Sequence, residues 1–160
     1  MRHKSRLASI AIYVGFIILT LLVEVAAGVA TQAGVGAWYA GLKKPFFTPP
    51  PYVFGPVWTL LYLMLGLAGG MIATTKHPLK FKALLAFFLQ LFMNGLWSFW
   101  FFSWHQITYA LLDLLCTWIL TALTLYLFAK IKLKAAWLLL PYQLWLSFAL
   151  ILNASILYLN

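Results

Sequence analysis

The stretch Trp38–Tyr62, WYAGLKKPFFTPPPYVFGPVWTLLY, is the longest polar and proline-rich interruption in an otherwise apolar chain. Its first half cannot cross a membrane as a helix, because two adjacent lysines are followed by four prolines, which lack the backbone N–H that a helix needs. From Val53 the pattern predicts a helix with Phe54, Trp58 and Tyr62 on one face. We therefore predict a loop that covers a binding site and a helix whose aromatic face lines one wall of it.

The composition indicates a membrane protein. Of the 160 residues, 65% are hydrophobic and only 8% are charged, whereas a soluble domain has about 25% charged residues. The net charge of +9 does not indicate nucleic-acid binding, because basic residues beside apolar segments follow the positive-inside rule. The single cysteine, Cys116, lies within a predicted span and cannot form a disulfide within the chain.

A membrane-spanning helix needs about 20 mostly apolar residues, and five segments meet that requirement. They are residues 7–30, 53–74, 83–102, 107–129 and 136–159. The first follows a basic N-terminus, as in a signal peptide, but its apolar run is longer than the roughly 7–15 residues of such a segment, so we interpret it as a retained span. We predict one domain, residues 1–160, folded as an all-α bundle of five transmembrane helices.

The distribution of lysine and arginine predicts the orientation of this bundle. Of the 11 such residues, all but Lys43 and Lys44 lie on the side that holds the N-terminus. The positive-inside rule therefore places the N-terminus inside, and the C-terminus and the loop 31–52 outside. The prolines reduce the conformational entropy of the open loop. Its two lysines either attract a ligand carboxylate, or one packs its stem on the loop and the other is solvated. The predicted roof residues are Trp38, Lys43, Lys44, Pro45, Pro49 and Pro50.

The polar residues of the predicted spans lie in the outer half of the bundle, beneath that loop. Three helices each carry one polar and aromatic face at helical spacing. These faces comprise Gln90, Asn94 and Trp97 on the third span, Tyr109, Asp113 and Thr117 on the fourth, and Tyr142, Trp145, Ala149 and Asn153 on the fifth. With each face turned inward, the five helices enclose a hollow that opens toward the outside and is capped by the loop.

Glu24 and Asp113 are the only acidic residues, and both lie within spans. A charge within a membrane costs about 3 kcal/mol or more, so such residues usually face a cavity or a partner. Each either fixes helix packing or, in the case of Asp113, orients a ligand group. The small residues Gly66 and Gly70 form a GxxxG spacing, which permits close helix approach or dimerisation.

The positions of the titratable residues argue against several classes of site. No histidine lies within a predicted span, which argues against haem ligation in the bundle. The sequence has no phosphate-binding glycine loop and no Ser/His/Asp set. We predict no metal site and no required cofactor. The outer-half residues offer stacking surfaces, amides and carboxyls, which suit a flat, largely apolar ligand with a few polar groups.

These residues resemble the TspO/MBR family, which comprises the tryptophan-rich sensory proteins of bacteria and the mitochondrial translocator protein. The resemblance covers nearly the whole chain and is most specific in the pattern WY-x-x-L-x-KP-x-x-x-PP and the Phe and Trp that follow it. The matching positions are Trp38, Tyr39, Leu42, Lys44, Pro45, Pro49, Pro50, Phe54, Trp58, Leu61, Tyr62, Gln90, Leu91, Asn94, Trp97, Phe101, Phe102, Asp113, Pro141, Tyr142, Trp145, Phe148, Leu152 and Asn153.

The resemblance implies five transmembrane helices, a homodimer in many members, and binding of tetrapyrroles such as protoporphyrin IX beneath the first long loop. For animal members it also implies binding of cholesterol and of benzodiazepine-like drugs. By the same resemblance, Trp58 and Trp145 match two pocket tryptophans that are tied to light-dependent porphyrin breakdown in some bacterial members, and they are the catalytic candidates. The resemblance also implies that Tyr39, Gln90, Asn94, Trp97 and Ala149 line the ligand.

Two departures from the family pattern bear on the ligand. The third loop aromatic, often Trp in the family, is Phe46 or Phe47 here. The animal cholesterol motif needs a Tyr soon after the pair at 152–153 and then a basic residue, but residues 154–160 contain no basic residue. The resemblance therefore favours a bacterial-type member in the bacterial cell membrane, or in the mitochondrial outer membrane if the source is eukaryotic.

We predict a membrane receptor or carrier that binds porphyrins in an outer-half pocket, with a role in tetrapyrrole transport or stress regulation. The alternatives are a light-dependent porphyrin-degrading enzyme and a sterol-binding translocator or ligand-sensing interaction protein. The expected partners are the lipid bilayer, a tetrapyrrole, sterols or benzodiazepine-like drugs, and a second copy of the chain. The predicted ligand-binding residues are Tyr39, Trp58, Tyr62, Gln90, Asn94, Trp97, Tyr109, Asp113, Tyr142, Trp145, Ala149 and Asn153.

Overall fold

The computed structural model describes the backbone of residues 2–160 and the side chains of residues 6–160. Basic side chains at positions 2 and 4, which the orientation prediction uses, lie outside the described part. The elements are α1 (Arg2–Gly34), α2 (Ala37–Gly41), α3 (Pro51–Ala73), α4 (Lys80–Ser98) with a π-helical turn (Phe99–Ser103), α5 (Ile107–Ile131) and α6 (Leu133–Leu159). All but α2 and the π-helical turn are long and apolar enough to cross a membrane. The predicted five-helix membrane bundle is thereby confirmed, while its orientation stays a prediction.

The helix boundaries differ from the predicted ones mainly around the proline-rich loop. α1 continues one turn further than predicted, to Gly34, and the short α2 forms within the segment predicted as loop. We call residues 35–50, which include α2, the roof segment. α3 begins at Pro51, because a proline at the first helical position lacks only an N–H that has no partner inside the helix. Only Lys132 separates α5 from α6, so the predicted break there is shorter than expected.

The five long helices form a closed ring whose order is not the order of the chain. α1 packs against α3 on one side and α4 on the other, α3 packs against α6, and α5 lies between α4 and α6. α1 is the least buried of the five, so most of its surface faces the surrounding membrane. The ring order decides which helices enclose a common space.

The seam between α1 and α3 depends on glycines. A Cβ atom added at Gly66 would lie 2.7 Å from the Cα of Ile17, and one added at Gly70 would lie 2.7 Å from the ring of Tyr13. No larger residue fits at either position without moving α1. The predicted GxxxG spacing therefore serves close helix approach within the chain.

Two clusters of buried residues hold the bundle together and leave a space between them. The larger lies in the half away from the roof segment, where Phe87 and Phe128 stack at 5.9 Å between ring centroids. The smaller lies under the roof segment and includes Phe101, Leu152 and Ile156. Aromatic residues at the borders of both clusters face the intervening space.

Candidate functional site

The space between the clusters is a cavity of about 700 Å³ at the end of the bundle where α1, α4 and α6 end and α3 begins. Its walls come from these four helices and the π-helical turn, and the roof segment covers it through Val35, Tyr39, Ala40 and Lys44. Helix α5 contributes no residue to the wall among the described residues. The volume falls within the range of about 300–1,000 Å³ that is usual for small-molecule sites.

Most of the predicted ligand-binding residues line this one cavity. They are Tyr39, Trp58, Tyr62, Asn94, Trp97, Trp145, Ala149 and Asn153. They come from α2, α3, α4 and α6, so residues far apart in the sequence meet because the ring brings α3 beside α6 and α4 across from them. The wall is mostly apolar and aromatic, as a site for a flat ligand requires.

A group of aromatic side chains forms the wall between α3 and α6. The indole rings of Trp58 and Trp145 lie 6.2 Å apart at an angle of 89°, in an edge-to-face arrangement. Phe54 and Phe148 contact Trp145 at 6.0 and 5.4 Å between ring centroids. Tyr142, which does not line the cavity, contacts Trp58 with 6.3 Å between ring centroids. Both indoles are only partly buried, so each has surface available to a molecule in the cavity.

Amide side chains join the helices that make the wall. Asn94 on α4 donates a hydrogen bond of 2.9 Å from Nδ2 to the hydroxyl oxygen of Tyr62 on α3. Trp97 on α4 donates from Nε1 to Oδ1 of Asn153 on α6, at 3.1 Å, and the Nδ2 of Asn153 donates to the carbonyl of Ile107 at 3.3 Å. These polar groups fix the positions of α3, α4 and α6 around the cavity and satisfy most of their own hydrogen-bonding capacity.

The two lysines of the roof segment have different positions. Lys44 lines the cavity, with its Nζ donating to the carbonyls of Tyr39 at 2.6 Å and Leu42 at 3.0 Å and lying 4.6 Å from the Tyr39 ring centroid. Burial raises the pKa of the Tyr39 phenol. Lys43 is exposed and lies outside the cavity wall, and its backbone pairs with the side chain of Asn160 in two hydrogen bonds of 3.0 Å. Lys44 alone is therefore placed to meet a ligand.

The remaining predicted roof residues support the segment without lining the cavity. Trp38 stacks on His105 with 4.1 Å between ring centroids. The carbonyl of Pro45 accepts hydrogen bonds from the backbone N–H and the hydroxyl of Thr48. Pro45, Pro49 and Pro50 are absent from the wall, which Pro51 reaches instead.

Four predicted ligand-binding residues lie away from the cavity. Gln90 accepts hydrogen bonds through Oε1 from the hydroxyls of Tyr142 at 2.9 Å and Thr121 at 3.3 Å, in a buried contact between α4, α5 and α6. Tyr109 is 54% exposed on the outside of α5. Asp113 is buried, and neither of its carboxyl oxygens has a hydrogen-bond partner within residues 6–160. Asp113 and Thr117 of the polar face of α5 are buried against neighbouring helices, because the ring places α5 behind the cavity wall.

The contribution of α1 was missed, although its sequence carries a signal for it. Five residues of α1 line the cavity at helical spacing, Glu24, Ala27, Gly28, Thr31 and Gln32, and Val35 of the roof segment follows them. This face holds all three polar side chains between residues 24 and 34, which are Glu24, Thr31 and Gln32, and its other members in α1 are small. The Oε1 of Glu24 accepts a hydrogen bond of 2.5 Å from the hydroxyl of Thr59 on α3.

Five membrane-spanning helices packed in a ring, with an aromatic cavity between four of them and a proline-rich segment over it, define an integral multi-pass membrane protein. The chain belongs to the TspO/MBR family, whose model matches residues 16–159.

Similar proteins extend over most or all of the chain. The tryptophan-rich protein TspO of Archaeoglobus fulgidus is 38% identical over 147 residues, which is 92% of this chain and 95% of that protein. The protein of the same name from Chlorobaculum tepidum is 35% identical over 160 residues, covering 98% of this chain and 99% of that protein. The human translocator protein is 38% identical over 119 residues, which cover 72% and 70% of the two chains.

Proposed function

We propose that this protein is a receptor or carrier that binds tetrapyrroles of the protoporphyrin IX type in the cavity between α1, α3, α4 and α6. The observation that carries the proposal is the aromatic wall, in which Trp58 and Trp145 present two mutually perpendicular indoles to one cavity of about 700 Å³. Flat conjugated rings bind aromatic side chains by offset stacking and edge-to-face contact, and this wall offers both orientations.

The polar groups of the cavity support the same class of ligand. Lys44 and Tyr39 lie together at the roof, where a propionate of a bound macrocycle would meet an ammonium group and a phenol. Farther from the roof the wall is largely aromatic, with Trp58 and Trp145, which pack against the larger buried cluster. A macrocycle with acidic groups on one edge and apolar groups on the other matches this distribution.

The proposal is tested by titrating protoporphyrin IX into the purified protein and following tryptophan fluorescence. We expect saturable quenching at micromolar ligand. Because the chain has 8 tryptophans, the assignment to the cavity needs variants. Trp145→Phe is expected to remove part of the quenching, whereas Trp137→Phe serves as the matched control, since Trp137 is on the same helix but 61% exposed and outside the cavity wall. Absence of saturation in the wild type would overturn the proposal.

Light-dependent degradation of the bound porphyrin is a second candidate function. It is favoured by the 6.2 Å contact between Trp58 and Trp145, because two adjacent indoles beside an excited macrocycle can donate electrons or trap reactive oxygen species. The test compares bleaching of bound porphyrin under illumination in the wild type, Trp58→Phe and Trp145→Phe. Bleaching of all three at the rate of free porphyrin would exclude this activity.

We also propose, from the family resemblance, that the protein is a homodimer in a bacterial cell membrane. The glycines at 66 and 70 are buried against α1 within the protomer, so the dimer interface would lie elsewhere on the bundle. Chemical crosslinking in native membranes, compared with dilute detergent solution, tests the assembly. Dimers that crosslink both in native membranes and in dilute detergent support the proposal, and monomers in native membranes contradict it.

A further inference from the structure

Helices α1 and α3 touch along one half of their length and separate along the other. In the half away from the roof segment, Gly66 and Gly70 allow the two backbones to approach closely. In the other half, Gly28 on α1 and Gly55 on α3 both line the cavity and are both exposed, and a Cβ atom added at either would meet nothing within 4 Å. The cavity wall is therefore incomplete between α1 and α3, on a side of the bundle that faces the membrane.

A carboxyl group lies on the cavity wall, between this opening and the glycine seam of α1 and α3. Glu24 lines the cavity one turn before Gly28, and its Oε1 accepts a hydrogen bond from Thr59, one turn after Gly55. It is the only acidic residue on the wall, because the second acid of the chain, Asp113, lies behind the wall. In the described part of the chain its hydrogen-bond partner is a hydroxyl and not a cation.

We propose that Glu24 and Thr59 form a subsite for a protonated amine on an aromatic, membrane-dissolved ligand that enters between α1 and α3. A carboxylate at this depth is costly unless a group of opposite charge accompanies it, and a protonated amine supplies both the charge and N–H donors. The hydrogen bond from Thr59 fixes one oxygen of the carboxyl and leaves the second oxygen for the amine. The inference goes beyond tetrapyrrole binding, because it concerns a different wall of the cavity and a cationic group.

With this subsite, the cavity wall carries two groups of opposite charge. Lys44 at the roof favours an acidic group, and Glu24 on α1 favours a basic one. A ligand that carries an amine is thus distinguished from the same ligand with a hydroxyl or a carboxylate at that position. The preference for an amine over a hydroxyl rests on Glu24, whereas stacking on Trp58 and Trp145 is shared by all flat ligands.

The test compares two probes that differ only in the charged group, 1-pyrenemethylamine and 1-pyrenemethanol, by energy transfer from tryptophan to pyrene in vesicles. A charge-assisted hydrogen bond strengthens binding by about 1.5–3 kcal/mol, so we expect the amine to bind about tenfold or more tightly than the alcohol. In Glu24→Gln the amide oxygen still accepts from Thr59, which preserves the fold, and the preference for the amine should disappear. Equal affinities in the wild type, or an unchanged preference in Glu24→Gln, would overturn the subsite.

This outcome is separate from that of the tetrapyrrole proposal. If protoporphyrin binds saturably and the amine shows no advantage, the subsite fails and tetrapyrrole binding stands. If the amine shows a Glu24-dependent advantage and protoporphyrin does not bind, the subsite stands and the tetrapyrrole proposal fails.

The entrance is tested by narrowing the opening. Gly28→Leu and Gly55→Leu each place a side chain where the structure has open space, and both are expected to slow association of the pyrene amine from vesicles about fivefold or more, a change of about 1 kcal/mol in the barrier. Gly15→Leu is the matched control, since Gly15 is also exposed on α1 with nothing within 4 Å but lies outside the cavity wall. Equal association rates in all three variants and the wild type would contradict entry between α1 and α3.

Discussion

Replacing Trp145 with alanine is expected to weaken protoporphyrin binding about thirtyfold. The indole contacts Phe54, Trp58 and Phe148 within 6.2 Å between ring centroids, so it is a fixed part of the cavity wall and not a mobile side chain. Loss of one aromatic ring that stacks on a ligand costs about 1–3 kcal/mol, and 2 kcal/mol is about a thirtyfold change in the dissociation constant. Trp145→Phe retains a ring and should lose less.

Substitutions of the two lysines of the roof segment are compared with Trp145→Ala, because they remove charge and not stacking area. Lys44→Ala removes an ammonium group from the cavity wall, and since that group is partly exposed we expect a loss of about 1 kcal/mol or less, which decreases as salt is added. Lys43→Ala is the matched control, because Lys43 has the same charge one position away but does not line the cavity. It should leave the affinity nearly unchanged.

The affinities of these variants are measured by tryptophan quenching at about 0.1 M and about 1 M salt, where the Debye length falls from about 10 to about 3 Å. We expect the largest loss of affinity in Trp145→Ala, a smaller one in Lys44→Ala and the smallest in Lys43→Ala. Only the loss in Lys44→Ala should decrease as salt is added. A loss of affinity in Lys44→Ala that exceeds the loss in Trp145→Ala at high salt would refute the expectation that stacking dominates binding.

Three further predictions concern stability and topology. Asn153→Leu removes the acceptor of an interhelical hydrogen bond, so the unfolding free energy in detergent should fall by about 1 kcal/mol; an unchanged midpoint in denaturant titrations would contradict this role. Gly66→Leu places a side chain against the backbone of α1 and should sharply lower the yield of folded protein, whereas Gly15→Leu should not; equal yields by size-exclusion chromatography would argue against the close seam. In a cysteine-free background, Phe46→Cys should react with an impermeant thiol reagent on intact cells and Lys76→Cys should not; equal labelling would contradict the predicted orientation.

The bundle and much of the aromatic wall were predictable because they depend on local features of the sequence. Runs of apolar residues about 20 long define the spans whatever their partners, and prolines end helices wherever they occur. Trp58 and Trp145 were assigned to a binding site by depth and family resemblance, and the structure places both on the same cavity wall.

The sequence did not reveal which polar faces border the cavity and which close against another helix. Helical periodicity identifies a polar face but not its neighbour, so Asp113 on α5 was predicted to face the ligand although α5 stands behind the wall. The ring order, in which α1 lies between α3 and α4, also decides that Glu24 meets Thr59. Such contacts depend on packing between helices that are distant along the chain.

The proposal that a tetrapyrrole occupies the cavity is tested most directly by an experimental structure of the protein with bound protoporphyrin IX. We expect the macrocycle between α3 and α6, in contact with Trp58 and Trp145, with a propionate toward Lys44. A macrocycle bound on the outer surface of the bundle, with the cavity free of ligand, would contradict the proposal.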